Sequence, residues 1–275
     1  MNLLFSIDDR FVRQLETVLL SIHLNTEAQE LNVYVLQKNR LEKEDELVAV
    51  CKKFGMTYHP IFVKESLFEN APVTDRYPTT IYYRLLAHQI LPTDLHKILY
   101  LDADLLCIND LLPLYNTPID NYLYASAIHA SLTNTTDVIN KIRLQNFDAD
   151  GYYNSGVLLM NLDEIRKKVE AKEIFNYIRE HRLLLPDQDV LNALYGEYIL
   201  RVPDQLYNFD TRNLQIYETI SLGEWTLDWV IKNTVILHYC GRDKPWLTTK
   251  NSGRLTALYK QYFHMMGKTV AKLKR

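Results

Sequence analysis

The sequence predicts an α/β protein, a parallel sheet covered by helices on both faces, in a single domain spanning residues 1–275. Three observations carry this expectation. Short apolar runs alternate with amphipathic helical stretches from the first residues onward, the strand–helix–strand rhythm of a parallel sheet. The runs at residues 3–7 and 97–101 are apolar apart from Ser6 and Lys97, as strands buried on both faces are. No repeat, linker or low-complexity segment divides the chain, and a domain of this size buries about three-quarters of its unfolded surface.

Leu3 to Ile7 forms the first strand, ended by Asp8 and Asp9. Residues 11–24 follow as a helix with Phe11, Leu15, Val18, Leu19 and Ile22 on one face. Residues 31–37 alternate and read as a second strand. Residues 42–54 form a charged amphipathic helix stopped by Gly55, and 56–62 a third strand. Residues 64–78 are a loop marked by Pro72 and Pro78. Thr79 or Thr80 caps a helix through Ile90 that stops ahead of Pro92. The buried strand 97–101 runs straight into Asp102-Ala103-Asp104. Further on, 122–128 and 153–161 read as strands and 163–180 and 188–195 as helices, the second capped by Asp187 and closed by Gly196. Residues 234–238 are the last strand. A C-terminal helix with a basic tail occupies residues 253–275, helical from about 253 to 266 and basic at Lys268, Lys272, Lys274 and Arg275.

Composition excludes several function classes. The net charge of −3 argues against general nucleic-acid binding, which rests on neutralised phosphates. Eight glycines in 275 residues is less than half the usual share of about 7%. None forms G-x-G-x-x-G. Gly151 and Gly156 have the spacing of a phosphate loop, but Val157 and Leu158 follow in place of Lys and Ser/Thr. A phosphorylated ligand would therefore be held without a glycine-rich loop. Cys51, Cys107 and Cys240 lie far apart and odd in number, which predicts a reducing, cytoplasmic setting. The N-terminus meets Asp8 and Asp9 too early for a signal peptide, and no apolar run approaches the roughly 20 residues that span a bilayer. Nineteen tyrosines are an excess, and Tyr82, Tyr83, Tyr152, Tyr153 and Tyr239 fall beside the residues singled out below.

Asp102 and Asp104 stand two residues apart at the end of a buried strand, so their side chains point the same way. Ligands of open α/β sheets bind beyond the carboxyl ends of strands. Two adjacent carboxylates repel unless a cation or a shared proton compensates. Hard divalent ions such as Mn²⁺ or Mg²⁺ prefer these oxygen ligands and bridge to phosphates. The plainer alternative is an acidic turn that caps the next segment. Residues 238–246, His-Tyr-Cys-Gly-Arg-Asp-Lys-Pro-Trp, also follow an apolar strand. His238 could add an imidazole to a cation held by two carboxylates, Gly241 would permit close backbone approach, and Lys244 is a point charge suited to phosphate. Trp246 is a stacking surface or an anchor for the loop.

Asp-x-Asp after an apolar strand, joined to His-x-x-Gly-x-x-Lys-Pro-Trp, resembles family 8 glycosyltransferases, the retaining enzymes of the bacterial lipooligosaccharide α-galactosyltransferase and glycogenin type. The resemblance runs along nearly the whole chain. Leu4-Phe5-Ser6-Ile7-Asp8-Asp9 is similar to the family's opening strand, whose Asp contacts uracil. Thr80-Ile81-Tyr82-Tyr83-Arg84-Leu85 is similar to the segment whose Arg reaches the donor. Tyr153 to Asn161 resembles the strand that lines the sugar. Pro186-Asp187-Gln188-Asp189-Val190-Leu191-Asn192 resembles the segment beneath the anomeric carbon.

The resemblance implies a GT-A fold, one domain with a Rossmann-like nucleotide-binding sheet and an attached acceptor region. It implies a hexosyltransferase that uses a UDP-hexose, glucose or galactose, with Mn²⁺ or Mg²⁺. It places Ser6, Asp8, Arg84, Asp102, Ala103, Asp104, Asn154, Ser155, Asp187, Gln188, His238, Gly241 and Lys244 around the donor. Asp102, Asp104 and His238 would be the metal ligands, and Asp187 and Gln188 the catalytic pair. Arg10 and Arg76 stand where the galactosyltransferase branch has other side chains, which leaves the sugar open. The acceptor would be a glycan, glycolipid or glycoprotein. For retention, Gln188 could act from below, or the acceptor could attack on the leaving-group face; a neutral amide is a poor nucleophile, which favours the second. Two rivals are a haloacid-dehalogenase-like phosphatase and a non-catalytic UDP-sugar-binding protein. The tail is either a core helix with a solvated basic end or a peripheral contact with the inner face of a membrane.

Overall fold

A computed structural model describes residues 1–68, 79–128, 144, 151–181, 183–247 and 253–274. Its centre is a seven-stranded sheet of order β3-β2-β1-β4-β7-β6-β8. Asn2–Ser6 (β1), Leu31–Gln37 (β2), Met56–Phe62 (β3) and Lys97–Leu101 (β4) are parallel, as the sequence predicts. The far side is mixed. Val157–Asn161 (β7) runs antiparallel to β4 and to Tyr124–Ala127 (β6), and β6 pairs parallel with Ile199–Val202 (β8). The parallel arrangement expected from the strand–helix alternation holds for β1 to β4 and does not extend to β7: Val157–Met160 is an apolar run, and such a run reports burial but not direction.

A second, three-stranded sheet of order β5-β10-β9 leaves from the end of β4. Its strands are Leu105–Cys107 (β5), Phe209–Asp210 (β9) and Ile236–His238 (β10). β10 is antiparallel to β5 and parallel to β9, so the last predicted strand belongs to this small sheet.

Helices cover both faces of the main sheet. Alternate residues of the inner strands divide between two cores. Leu3, Phe5, Val33, Val35 and Leu99 face Val12–Asn25 (α1) and Glu44–Lys53 (α2). Leu4, Tyr34, Leu36, Ile98 and Tyr100 face the other helical layer. In α2 the acidic first turn and basic last turn both suit the helix dipole, and Gly55 follows at φ +69. The predicted helix 79–90 is a 3₁₀ helix over Thr79–Leu86 that widens into the α-helix Ala87–Ile90 (α3). Leu112–Tyr115 (α4) follows β5. The predicted helix 163–180 is two, Leu162–Lys168 (α5) and Ala171–Glu180 (α6), because Val169 and Glu170 take extended backbone. Pro186–Tyr195 (α7) starts with proline in its first turn, where its missing N–H costs nothing. Asp204–Tyr207 (α8), Leu214–Ile220 (α9) and Leu227–Asn233 (α10) lie between β8 and β10.

The C-terminal helix Arg254–Leu273 (α11) extends past the predicted end at 266 and takes in most of the basic tail. It buries Leu255, Tyr259, Met266 and Val270, and Lys274 pairs with Glu46 of α2. Arg275 lies outside the described residues.

Beside that contact α1 buries Glu16, with Arg13 at 2.8 Å. Burial raises the Glu16 carboxyl to about 7 against the pull of Arg13. At neighbouring Glu46 Lys274 overcomes burial and lowers the carboxyl, so Glu16 is the one that takes up a proton. A raised folded-state pKa means that protonation favours folding. Stability from this group is therefore present at low pH and is lost as pH climbs from about 4.5 through about 7. Glu16→Gln mimics the protonated form. Thermal melts should show it more stable than the wild type at about pH 8 by on the order of 1–3 kcal/mol, with a shallower fall in stability above about pH 5. Parallel pH profiles for the two proteins would contradict this.

Candidate active site

The turn Asp102-Ala103-Asp104 joins the two sheets. At one end the Asp102 N–H donates to Gly156 O at 2.8 Å, continuing the β4–β7 register of Leu101 with Val157. At the other, His238 of β10 stands opposite Leu105 of β5, and the Tyr239 N–H donates to Asp104 O at 3.0 Å. Strand pairing thus brings Asp102, Asp104 and His238 together from far apart in sequence. One ligand atom from each falls within 4.8 Å of the others. The alternative of an acidic helix cap fails, since the segment after Asp104 is a strand.

The surroundings fit a divalent cation. Oδ1 of Asp102 receives the Tyr100 hydroxyl at 2.7 Å and pairs with Arg84 Nη2 at 2.9 Å. A Cβ built on Gly156 would come within 2.7 Å of Asp102 Oδ2 and 2.6 Å of His238 Cε1. Glycine there keeps open a space between two of the ligands. Asp104 Oδ1, buried and without a hydrogen bond, lies 3.3 Å from His238 Nε2, and Oδ2 pairs with Lys244. Burial alone would raise the Asp104 carboxyl, but His238 and Lys244 hold it well below the usual carboxylate range. Burial would lower the His238 imidazole, but Cys240 and Asp104 carry it well above its usual value. Two carboxylates and one imidazole suit Mn²⁺ or Mg²⁺.

Asp187 and Gln188 stand in the first turn of α7. Asp187 Oδ2 accepts from the Ser155 hydroxyl at 2.9 Å and pairs with Arg84 Nε at 3.3 Å. Burial raises the Asp187 carboxyl, opposed by Arg84. Arg84 itself is buried, lies over the Tyr100 ring at 4.4 Å and donates to Ser155 O at 2.8 Å. Asp102, Tyr100 and Asp187 outweigh the desolvation of its guanidinium and keep it charged. Gln188 Oε1 accepts from Asn154 Nδ2 at 3.0 Å and Ser155 N at 3.2 Å. Asn154 Oδ1 accepts from Gly156 N at 2.9 Å and from Asn208 Nδ2 at 2.8 Å.

Two clefts meet here. One, of about 330 Å³, is lined by Ser6, Asp8, Arg10 and Thr80, with Ala103. The other, of about 650 Å³, is lined by Tyr152, Asn154, Ser155, Asp187, Gln188, Arg212, His238 and Gly241. Ile81, Arg84, Asp102, Asp104 and Lys244 line both. Every residue singled out in the sequence for the donor lies on one cleft or the other. Asp8 is engaged by Arg10 at 2.6 Å, and Ser6 donates to Thr80 O. Gly241 has φ +88, and a Cβ there would meet Arg212 Nη1 at 2.7 Å. Arg76 lies outside the described residues.

One expectation changes, and one open alternative is decided. Of the five tyrosines set beside the site, only Tyr152 lines a cleft; Tyr82, Tyr83, Tyr153 and Tyr239 are buried in the cores. Trp246 is an anchor, packed edge-on to Phe11 at 6.1 Å and against Tyr259 at 5.4 Å. Sequence reasoning missed Asn208, which joins His238 to Asn154, and Arg212, held by Asp210 against Gly241. A lone Asn in a loop carries no pattern, and neither residue belongs to a motif.

The comparisons agree with this geometry. A Bacillus subtilis relative, general stress protein A, is 26% identical over 98% of this chain and 94% of its own length. An Escherichia coli lipopolysaccharide 1,2-glucosyltransferase is 26% identical over 89% of this chain and 73% of its own length. Among solved structures, galactosyltransferase LgtC in complex with donor and acceptor sugar analogues superposes with a TM-score of 0.80 at 22% identity, covering 96% of each chain, so the two share the GT-A fold. The family model for glycosyl transferase family 8 matches residues 2–250, and the chain therefore belongs to that family and is a glycosyltransferase.

Proposed function

We propose that the chain moves a hexose, glucose or galactose, from a UDP-hexose to a glycan acceptor with retention of configuration. Residues 1–275 act as one catalytic domain, with Mn²⁺ or Mg²⁺ held by Asp102, Asp104 and His238. The observation that carries this reading is the three-ligand cluster at the junction of the two clefts. A nucleotide in the smaller cleft and a sugar in the larger would meet at these ligands. The relative named a lipopolysaccharide glucosyltransferase supports an acceptor in a cell-surface glycan. The phosphatase and non-catalytic alternatives are not favoured by a family of transferases.

When bound, the cation would supply charge neutralisation for the departing diphosphate. Lys244, already against Asp104, adds a flexible point charge at the same place. Asp187 and Arg84 form a buried pair able to bind and orient sugar hydroxyls. Gln188 has its carbonyl oxygen occupied by two N–H donors, which engage the lone pairs it would need to attack the sugar. This supports attack by the acceptor on the leaving-group face. The new C–O bond forms as the bond to the β-phosphate oxygen breaks, and that phosphate takes the acceptor proton.

Purified protein incubated with a panel of UDP-sugars and Mn²⁺ should release UDP with UDP-glucose or UDP-galactose. Chelator should abolish this, and Asp102→Asn and His238→Ala should each lower it by at least about 100-fold. Undiminished turnover in the chelated or substituted enzyme would exclude the metal site, and no response to any sugar nucleotide would exclude the reaction.

We also propose cytoplasmic placement with contact at a membrane surface. The free thiols of Cys51, Cys107 and Cys240 support a reducing compartment. No helix among the described residues is long and apolar enough to cross a membrane. The apolar face of α11 is spent on the core, which leaves Arg254, Lys268 and Lys272 exposed. Contact would then be electrostatic, with anionic headgroups. The protein should co-sediment with anionic but not neutral vesicles, less so at high salt, and Lys268→Glu with Lys272→Glu should reduce it. Salt-independent or absent sedimentation would contradict this.

A further inference from the structure

Two backbone N–H groups fix the polarity of a chain of side chains that ends on the proposed metal ligand. A peptide N–H can only donate. The atoms that accept from Gly156 N and Ser155 N must therefore be the carbonyl oxygens of Asn154 and Gln188. The Asn154 amide nitrogen then points the other way and donates to Gln188 Oε1. The Asn154 oxygen also accepts from Asn208 Nδ2 at 2.8 Å. That turns Asn208 Oδ1 toward the His238 ring, 2.8 Å from Nδ1. An oxygen at this distance requires the hydrogen on Nδ1. In the neutral ring the lone pair is then on Nε2, the nitrogen that faces Asp104. Asn154, Gln188, Asn208 and His238 are all buried, where a mismatched amide is costly.

We infer that Asn208 is a positioning residue: it fixes the Nε2-ligating tautomer of His238 and ties that ligand to Asn154 and Gln188 at the floor of the sugar cleft. The inference rests on the metal reading above and extends it to a link between the metal ligand and the sugar side.

Two substitutions separate the two ends of the chain. Asn208→Asp keeps an acceptor for His238 Nδ1–H but offers no donor to Asn154 Oδ1. Asn208→Leu removes both. Calorimetric titration with Mn²⁺ alone should give Asn208→Asp a Kd within about threefold of the wild type and Asn208→Leu one weaker by about 10–100-fold. With Mn²⁺ saturating, UDP-glucose and UDP-galactose should bind Asn208→Asp at least about tenfold more weakly than the wild type, while UDP alone stays within about threefold. If Asn208→Leu does not fold, the comparison of UDP with the UDP-hexoses on Asn208→Asp still decides. Equal Mn²⁺ affinity in all three proteins, equal losses in the two variants, or equal losses of UDP and UDP-hexose in Asn208→Asp would overturn the inference. The metal reading fails separately, if the wild type and His238→Ala bind Mn²⁺ alike.

Discussion

The pairing of β10 with β5 is the constraint on which the site depends. It places His238 opposite Leu105, one residue beyond Asp104, and so closes a ligand set that the main sheet alone could not supply. Without it two carboxylates would face each other at a strand end with no imidazole between the sheets. The β4–β7 register does the matching work on the other side, setting Asp102 against Gly156, where only glycine leaves the space between Asp102 and His238 open. Two sheet registers and one missing side chain therefore define the centre. The aromatic cluster beneath the small sheet, with Trp246, Tyr239 and Tyr259 packed together, holds the loop that carries Gly241 and Lys244.

Charge is balanced in a way that leaves the centre ready for a cation and an anion together. Arg84 is buried between Asp102 and Asp187 and donates to Ser155 O as well, so one guanidinium organises both clefts from inside the protein. Its resemblance-based role, reaching the donor, is compatible with its position on both clefts, while its nitrogens engage Asp102, Asp187 and Ser155. Lys244 and Asp104 form a pair that a diphosphate and a divalent ion could replace with contacts of the same sign. A glycine-rich phosphate loop has no place in such a design, which gives the low glycine count a physical reason: the phosphates would meet a cation, a lysine and the single turn at Gly241.

Much of this was legible in the residues themselves. Apolar runs marked β1 and β4, alternation marked β2, and Gly55 marked the end of α2, because burial and helix termination leave local signals. Asp102, Asp104, His238, Gly241 and Lys244 stood out because each follows a strand end at a defined spacing. What escaped notice has no local signal. Leu105–Cys107 reads as a continuation of its acidic turn, and two- and three-residue strands such as Phe209–Asp210 are too short to show a period. The antiparallel direction of β7 is a property of the chain path, not of its composition. Asn208 is the single residue between α8 and β9, and only its side chain's hydrogen bonds in space reveal its place. The tyrosines near the motifs proved to be packing residues, apart from Tyr152, since sequence proximity to a site does not say which way a ring points.

The most direct test is a crystal structure of the protein grown with Mn²⁺ and UDP, with anomalous scattering used to locate the metal. The geometry of Asp102, Asp104 and His238 predicts an anomalous peak within bonding distance of all three side chains and of the diphosphate, with His238 bound through Nε2. A peak elsewhere, or UDP ordered in the smaller cleft with no metal at these three residues, would contradict it.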